Sequence, residues 1–351
     1  MNGKSVLIGT LALAGTAASV LAQSGTTPVV AAYRPRLVAD SDTRLSIPVE
    51  RKAVFVGKID SVSGSTITFT DDPAWTDDQL QFDASTQPQR YYALFETGTK
   101  KGRSFDITGN GSNELTVDLG NDNLSGAASD DIVKVIPHWN LDQLFPSSEG
   151  LTPSPSPTTR QTEILVPNSS SAGINLSTEK TYYYFADAWR DLASAGTDAG
   201  PAVISPDKHV IVRNNTGSDQ TPDIVGYATT ASSGIPLRMR AGSEKQDNPV
   251  ALASPTPISL DDSNLIASGA FRASTGITNR VDEILVFDNS ATGTNKSATE
   301  TYYYFLGAWR KLGSSADVGA ETIFEPGTGV IIRKGGNGLA SDSVVYWDPE
   351  P

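Results

Sequence analysis

The sequence has no cysteine, and only two histidines and two methionines, in 351 residues. Without cysteine there are no disulfides, no thiolate nucleophile and no Cys-based metal site, so the fold must rest on its hydrophobic cores. His138 and His209 are the whole supply of imidazole. Neither a Gly-x-Ser-x-Gly nor a His-Glu-x-x-His sequence accompanies them, which leaves serine-hydrolase and zinc-protease chemistry without local support. The Gly-rich turns lack the Lys-Ser or Lys-Thr of a phosphate loop. Positive charge is scarce as well, since 27 Lys and Arg against 40 Asp and Glu give a formal net charge of −13. Nucleic acid and anionic lipid both need a basic face, so neither is expected as a partner.

Long apolar runs are also missing, with one exception. Met-Asn-Gly-Lys4 leads into the uncharged run Ser5 to Leu21, and Val20-Leu-Ala22 before Gln23 has the small-x-small pattern of a secretory cleavage site. Residues 1–22 are read as a signal peptide and Gln23 as the mature N-terminus. The protein is then expected to be secreted, extracellular or at the cell surface, with the periplasm as the alternative. No other run approaches the length of a membrane span, so membrane insertion is not expected.

What the sequence does contain is an internal repeat. Thr181-Tyr-Tyr-Tyr-Phe-Ala-Asp-Ala-Trp-Arg190 returns as Thr301-Tyr-Tyr-Tyr-Phe-Leu-Gly-Ala-Trp-Arg310, a shift of 301 − 181 = 120. The same shift carries Glu163-Ile-Leu-Val166 onto Glu283-Ile-Leu-Val286, Pro206 onto Pro326, and Val210-Ile-Val-Arg213 onto Val330-Ile-Ile-Arg333. From Glu163 to Arg213, 22 of 51 positions are identical in the second copy, which marks a duplicated folding unit in gap-free register. It also maps Ile224–Tyr227 onto Val344–Trp347, so the last strand is expected to fill in the second unit the place that Ile224–Tyr227 fills in the first.

Before the repeat, Val54 to Ser61, Thr66 to Phe69, Tyr91 to Glu96, Arg103 to Thr108, Leu115 to Leu119 and Ile132 to Ile136 read as short strands between Gly turns. Strands of this kind close economically into a small barrel, because a lone sheet would leave its edges and one apolar face open. The expected class is all-β: two duplicated small sandwich or barrel-like units, with a small antiparallel barrel inserted in the first. The division runs 23–49 for N-terminal strands, 50–147 for the barrel and 148–229 for repeat unit 1. Residues 230–259 follow as a linker or strap, and 260–351 as repeat unit 2.

Each Thr-Tyr-Tyr-Tyr-Phe block reads as a hairpin with the Trp-Arg pair on the return strand, the tight turn falling at Asp187-Ala188 and Gly307-Ala308. Strand period two sends Tyr182 and Tyr184 one way and Tyr183 and Phe185 the other. These rings are either the large pieces of a small core or, exposed, platforms for sugar rings. Tyr182, Tyr184, Trp189, Tyr302, Tyr304, Trp309, Tyr346 and Trp347 are therefore the candidate ligand or assembly residues. No catalytic or metal-ligating residue is identified. Asn121, Asn123, Ser125 and Gly126 echo a calcium loop, but Ile132 stands where the bidentate glutamate belongs. Calcium held elsewhere stays a weak alternative to no cofactor at all. The acidic pairs Asp71-Asp72, Asp77-Asp78 and Asp130-Asp131 read as solvated loops before they read as a glycosidase pair.

Asp42 to Pro48, Pro137-His-Trp139 with Leu144-Phe-Pro146, Glu163-Ile-Leu-Val-Pro167, the Thr-Tyr-Tyr-Tyr-Phe and Ala-Trp-Arg blocks, and Pro326-Gly-Thr-Gly-Val-Ile-Ile-Arg333 together resemble an uncharacterised family of secreted bacterial all-β proteins. The resemblance covers nearly everything after the signal and implies no particular activity. The expected function is non-enzymatic: a structural or surface-assembly protein associating with itself or with other surface proteins. A carbohydrate-binding module with polysaccharide as partner is the alternative, and an extracellular hydrolase the second.

Overall fold

The structure, a computed structural model, describes residues 29–229 and 233–349. The expected signal peptide and the cleavage site before Gln23 lie outside the described residues. The fold is all-β; the one α-helix among the described residues is the single turn Leu141–Leu144, whose first free N–H groups are met by the Asn140 side chain accepting from Gln143 N at 3.0 Å.

The first unit is built on a sheet whose strands lie side by side as Ser194–Asp198, Ala188–Asp191, Thr178–Phe185, Thr162–Pro167, Val210–Asn214 and Ser41–Leu45, all antiparallel. The second unit repeats the order with Ala308–Lys311, Glu300–Phe305, Glu283–Val286, Val330–Lys334 and Gln246–Val250, lacking only the outermost strand. Two short ribbons cover the core side of each sheet. They are Val30–Tyr33 with Ile224–Tyr227 and Trp139–Asn140 with Val203–Ile204 in unit 1. Their counterparts in unit 2 are Ile235–Met239 with Ser343–Trp347 and Ile258–Ser259 with Thr322–Phe324. Each unit is thus a small sandwich with its own core, around Tyr182, Trp189 and Val212 in one and Tyr302, Trp309 and Ile332 in the other.

The pairings extend the duplication beyond its sequence identity. Val30 faces Tyr227 where Ile235 faces Trp347, so the N-terminal piece repeats after 235 − 30 = 205 residues and the C-terminal piece after 347 − 227 = 120. The difference of 85 residues is the insertion, and it is a barrel. Phe55–Ser63, Thr66–Phe69, Glu114–Asp118, Ser104–Asn110, Tyr91–Phe95 and Ile132–Pro137 close on one another in that order around Ile59, Phe69, Phe95, Leu115 and Val133. Closure leaves no free sheet edge.

Three sequence expectations change. Residues 230–259 are not a strap: Ile235–Met239, Gln246–Val250 and Ile258–Ser259 are strands of unit 2, whose counterparts in unit 1 are Val30–Tyr33, Ser41–Leu45 and Trp139–Asn140. Few identities survive at this shift because the buried positions need only fit the sheet. The repeat is not gap-free either. Ala199 N donates to Trp189 O, whereas Val318 N donates to Trp309 O, a shift of 119, so the second copy is one residue short between Leu312 and Val318 and regains it before Pro326, where the shift is 120 again. The hairpin turn falls one residue earlier than expected, at Ala186-Asp187 and Leu306-Gly307, all four with positive φ (49°, 56°, 52° and 76°). This is the backbone of a type I′ turn, whose twist matches that of the two flanking strands.

Candidate functional site: the cavity between the two units

The eight rings singled out from the sequence do not form one surface. Trp189, Trp309 and Trp347 are at most 2% exposed, Tyr182 and Tyr302 are buried beside them, and Tyr184, Tyr304 and Tyr346 are half-buried. Tyr184 meets Trp189 edge-on at 5.6 Å and Tyr304 meets Trp309 at 5.4 Å, both at 76°. A sugar platform on these hairpins is thereby corrected: the rings fill cores, because small sandwiches have few other large pieces to fill them with. The terminal strand is spoken for as well. Trp347 donates its indole N–H to Ser263 O at 2.6 Å, and Tyr346 lies under the Arg103 guanidinium of the barrel at 3.2 Å.

Strand alternation turns a second face of each large sheet away from its core. Val210 and Val212 point inward, so Ile211 and Arg213 point out; Val330 and Ile332 point inward, so Ile331 and Arg333 point out. The two outer faces flank a solvent-open cavity of about 630 Å3, lined by Leu165 and Ile211 from one unit and Leu285 and Ile331 from the other. At its rim sit two matched ion pairs. Arg213 grips Asp42 through Nε (2.8 Å) and Nη2 (3.0 Å), and Arg333 grips Asp247 through Nε (2.7 Å) and Nη2 (3.0 Å). The aspartates come from the edge strands Ser41–Leu45 and Gln246–Val250, and the arginines from the strands beside them, Val210–Asn214 and Val330–Lys334.

Loops cross between the units and tie these pairs together. Asn295 N donates to Asp42 Oδ2 at 2.6 Å, and its counterpart Asn175 N donates to Asp247 Oδ2 at 2.8 Å. Asp42 N donates to Gly293 O at 3.0 Å, and Asp247 N to Gly173 O at 2.9 Å. The units therefore face each other about a pseudo-twofold axis, each reaching the other's carboxylate with the same loop.

The symmetry breaks at one end. Arg44 stands where unit 2 has Pro249, Phe287 where unit 1 has Pro167, and Lys296 where unit 1 has Leu176, all at the cavity wall. Arg44 lies over the Phe287 ring at 3.6 Å, and its Nη1 is 2.9 Å from His209 Nε2. Lys296 Nζ donates to the Asp288 backbone carbonyl at 3.0 Å. His209 packs on Gly329, where a Cβ would come within 2.3 Å of its ring. Burial, with Arg44 adding to it, holds the His209 imidazolium down at about 3, so the ring is neutral and accepts from Arg44. Burial also lowers Arg44 to about 10 and depresses Lys296. Neither cation has a carboxylate in salt-bridge contact among the described residues.

The remaining sequence candidates are structural in place. His138 pairs with Asp106 at 2.9 Å in the barrel, far along the chain from His209, and neither ring bonds a serine. In the loop that echoes a calcium site, the Lys100 ammonium sits on Asp122 at 2.9 Å, the cation that loop already holds. Among the described residues no three His, Asp or Glu converge at metal-binding distance.

The fold and the site define an all-β protein of two pseudo-symmetric sandwich units, with a barrel inserted in the first and a charged cavity between them. Set against models of known families, curated proteins and solved structures, the chain matches none of them. The cavity's rim residues were partly visible beforehand, since Arg213 and Arg333 end the repeated Val-Ile-x-Arg run and Asp42 opens the Asp42 to Pro48 stretch. The crossing loops had no sequence signal beyond the paired Gly173/Gly293 and Asn175/Asn295.

Proposed function

We propose that this protein is exported by its N-terminal segment and works outside the cytoplasm as a non-enzymatic structural or surface-assembly protein, joined to further copies of itself through a sheet edge. The observation that carries this reading is the strand Ser194–Asp198. It is the outermost strand of the first sheet, every residue of it is exposed, and the second sheet has no equivalent. Its sequence, Ser-Ala-Gly-Thr-Asp, has neither lysine nor proline, the residues that usually blunt an open edge. Two copies meeting edge to edge about a twofold axis would make one continuous sheet, with main-chain hydrogen bonds supplying the affinity.

This reading replaces the two joints suggested by sequence, since the hairpin rings and the tail strand are already used within the chain. Sedimentation of the chain from Gln23 onward tests it. Concentration-dependent association is expected, and Ala195→Lys with Thr197→Lys should abolish it by setting like charges across the joint while leaving the circular dichroism spectrum intact. A chain that stays monomeric at every concentration and binds or cleaves a polysaccharide would sink the proposal.

A further inference from the structure

We infer that the cavity between the two units is a binding site for a small organic acid, with Arg44 and Lys296 receiving its carboxylate and the Leu and Ile walls receiving its apolar body. The inference is independent of assembly, because it concerns a face that Ser194–Asp198 does not touch.

Volume and lining come first. About 630 Å3 lies within the usual range of small-molecule sites, and Leu165, Leu285, Ile211 and Ile331 put an apolar patch into a lining that is otherwise largely polar.

Charge decides the class of ligand. In a protein of net charge −13, the cavity wall holds four cations, Arg44, Arg213, Arg333 and Lys296, against two carboxylates, Asp42 and Asp247. Each of the two symmetric arginines has its Nε/Nη2 edge on its aspartate, so its charge is already met. Arg44 and Lys296 remain, at the one end where the duplicated halves differ. Each replaces a residue, Pro249 or Leu176, that serves the same structural position in the other unit without a charge. The fold therefore does not need these cations. Their burial is costly unless an anion meets them.

The surroundings of Arg44 favour a positioned donor over an adventitious one. Phe287 holds one face of the guanidinium and neutral His209 takes Nη1, so the plane is fixed while the other N–H groups remain for a ligand. Asn289 locks the backbone of Arg44 from both sides, its Oδ1 accepting from Arg44 N at 2.9 Å and its Nδ2 donating to Arg44 O at 3.0 Å. A planar carboxylate matches a held guanidinium better than a bare spherical anion does, and the apolar walls reward a ligand that carries carbon.

Calorimetric titration of the full chain with benzoate and with octanoate tests the site, beside benzyl alcohol, octanol and inorganic phosphate. At least one acid should bind saturably, and at least about tenfold more tightly than its own alcohol, the factor that one charge-assisted hydrogen bond contributes. Phosphate should bind more weakly than that acid. Lys296→Met should weaken the acid about tenfold with its alcohol and the melting temperature unchanged, and Lys296→Arg should restore it. Equal affinity for acid and alcohol, phosphate binding as tightly as the acid, no saturation by either acid, or an acid affinity indifferent to Lys296→Met would each overturn the assignment. The acid-to-alcohol ratio of the unaltered protein decides the matter even if the variants fold poorly.

Discussion

Asp42 and Asp247, 205 residues apart, hold the same place in the two units, and each carboxylate is clasped at once by an arginine of its own sheet and by an asparagine N–H from the other unit's loop. One residue thereby fixes both a strand pair inside a unit and the joint between units. The inter-unit arrangement follows from a local contact made twice.

Asp42→Asn and Asp247→Asn should each destabilise the protein by about 3 kcal/mol, because either change leaves a half-buried guanidinium without its counter-charge. Urea unfolding followed by tryptophan fluorescence measures this. Similar costs at the two positions are expected; a loss at one position only would mean that the two crossings are not energetically equivalent.

Trp189→Ala and Trp309→Ala should each cost about 3 to 5 kcal/mol, as expected when a large ring is removed from a closed core. Both rings are fully enclosed, Trp189 against Phe145 at 6.0 Å and Trp309 against Phe271 at 5.0 Å. The two phenylalanines are not sequence counterparts, since the 120-residue shift puts Leu151 opposite Phe271. Thermal denaturation of each variant would count against matched cores if one change proved nearly neutral.

A third prediction concerns a place where the duplicated cores chose different chemistry. Unit 2 buries Lys334 and Asp282 completely, with Arg272 on the other carboxylate oxygen at 2.8 Å, whereas unit 1 has Asn214, Thr162 and Thr152 at those positions in a neutral network around Gln220. Asp282→Thr alone should cost about 3 to 5 kcal/mol, by leaving a buried ammonium uncompensated. The triple change Asp282→Thr, Lys334→Asn, Arg272→Thr removes the buried charges but not the need for a hub such as Gln220, which unit 2 lacks, so it should recover part of that loss. Denaturation midpoints of the single and triple variants compare the two, and a triple variant weaker than the single one contradicts the argument.

His209 should make the protein acid-labile. Burial depresses its folded pKa to about 3, from the roughly 6.5 of a free imidazole. The stability it contributes is present above about pH 6.5 and is lost as pH falls toward 3, at up to about 1.4 kcal/mol per pH unit. Urea midpoints at pH 7 and pH 4.5 should differ less for His209→Gln than for the unaltered chain. An equal or larger difference in the variant would assign the acid sensitivity to other groups.

Much of the fold was legible in the sequence because its signals are local or periodic. Alternation and Gly turns marked the barrel strands, and the Thr-Tyr-Tyr-Tyr-Phe repeat fixed which segments share a fold, since identical spacing in a strand of period two puts the same side chains on the same faces. The strands at 235–239 and 246–250 were not legible. Their counterparts at 30–33 and 41–45 are separated from the rest of unit 1 by the barrel, and pairing partners that distant leave no pattern in the chain between them.

The sequence by itself determined the all-β class, the duplication, the barrel and the acidic balance, all of which follow from composition and from spacing along one strand or hairpin. Only the tertiary structure decided that the aromatic rings are core. It alone decided that Arg44, Lys296, His209 and Phe287, drawn from residues 44 to 296, gather at one end of a shared cavity. Burial and charge convergence depend on which faces meet, and those faces are brought together by two loops crossing between units that the chain's order keeps far apart.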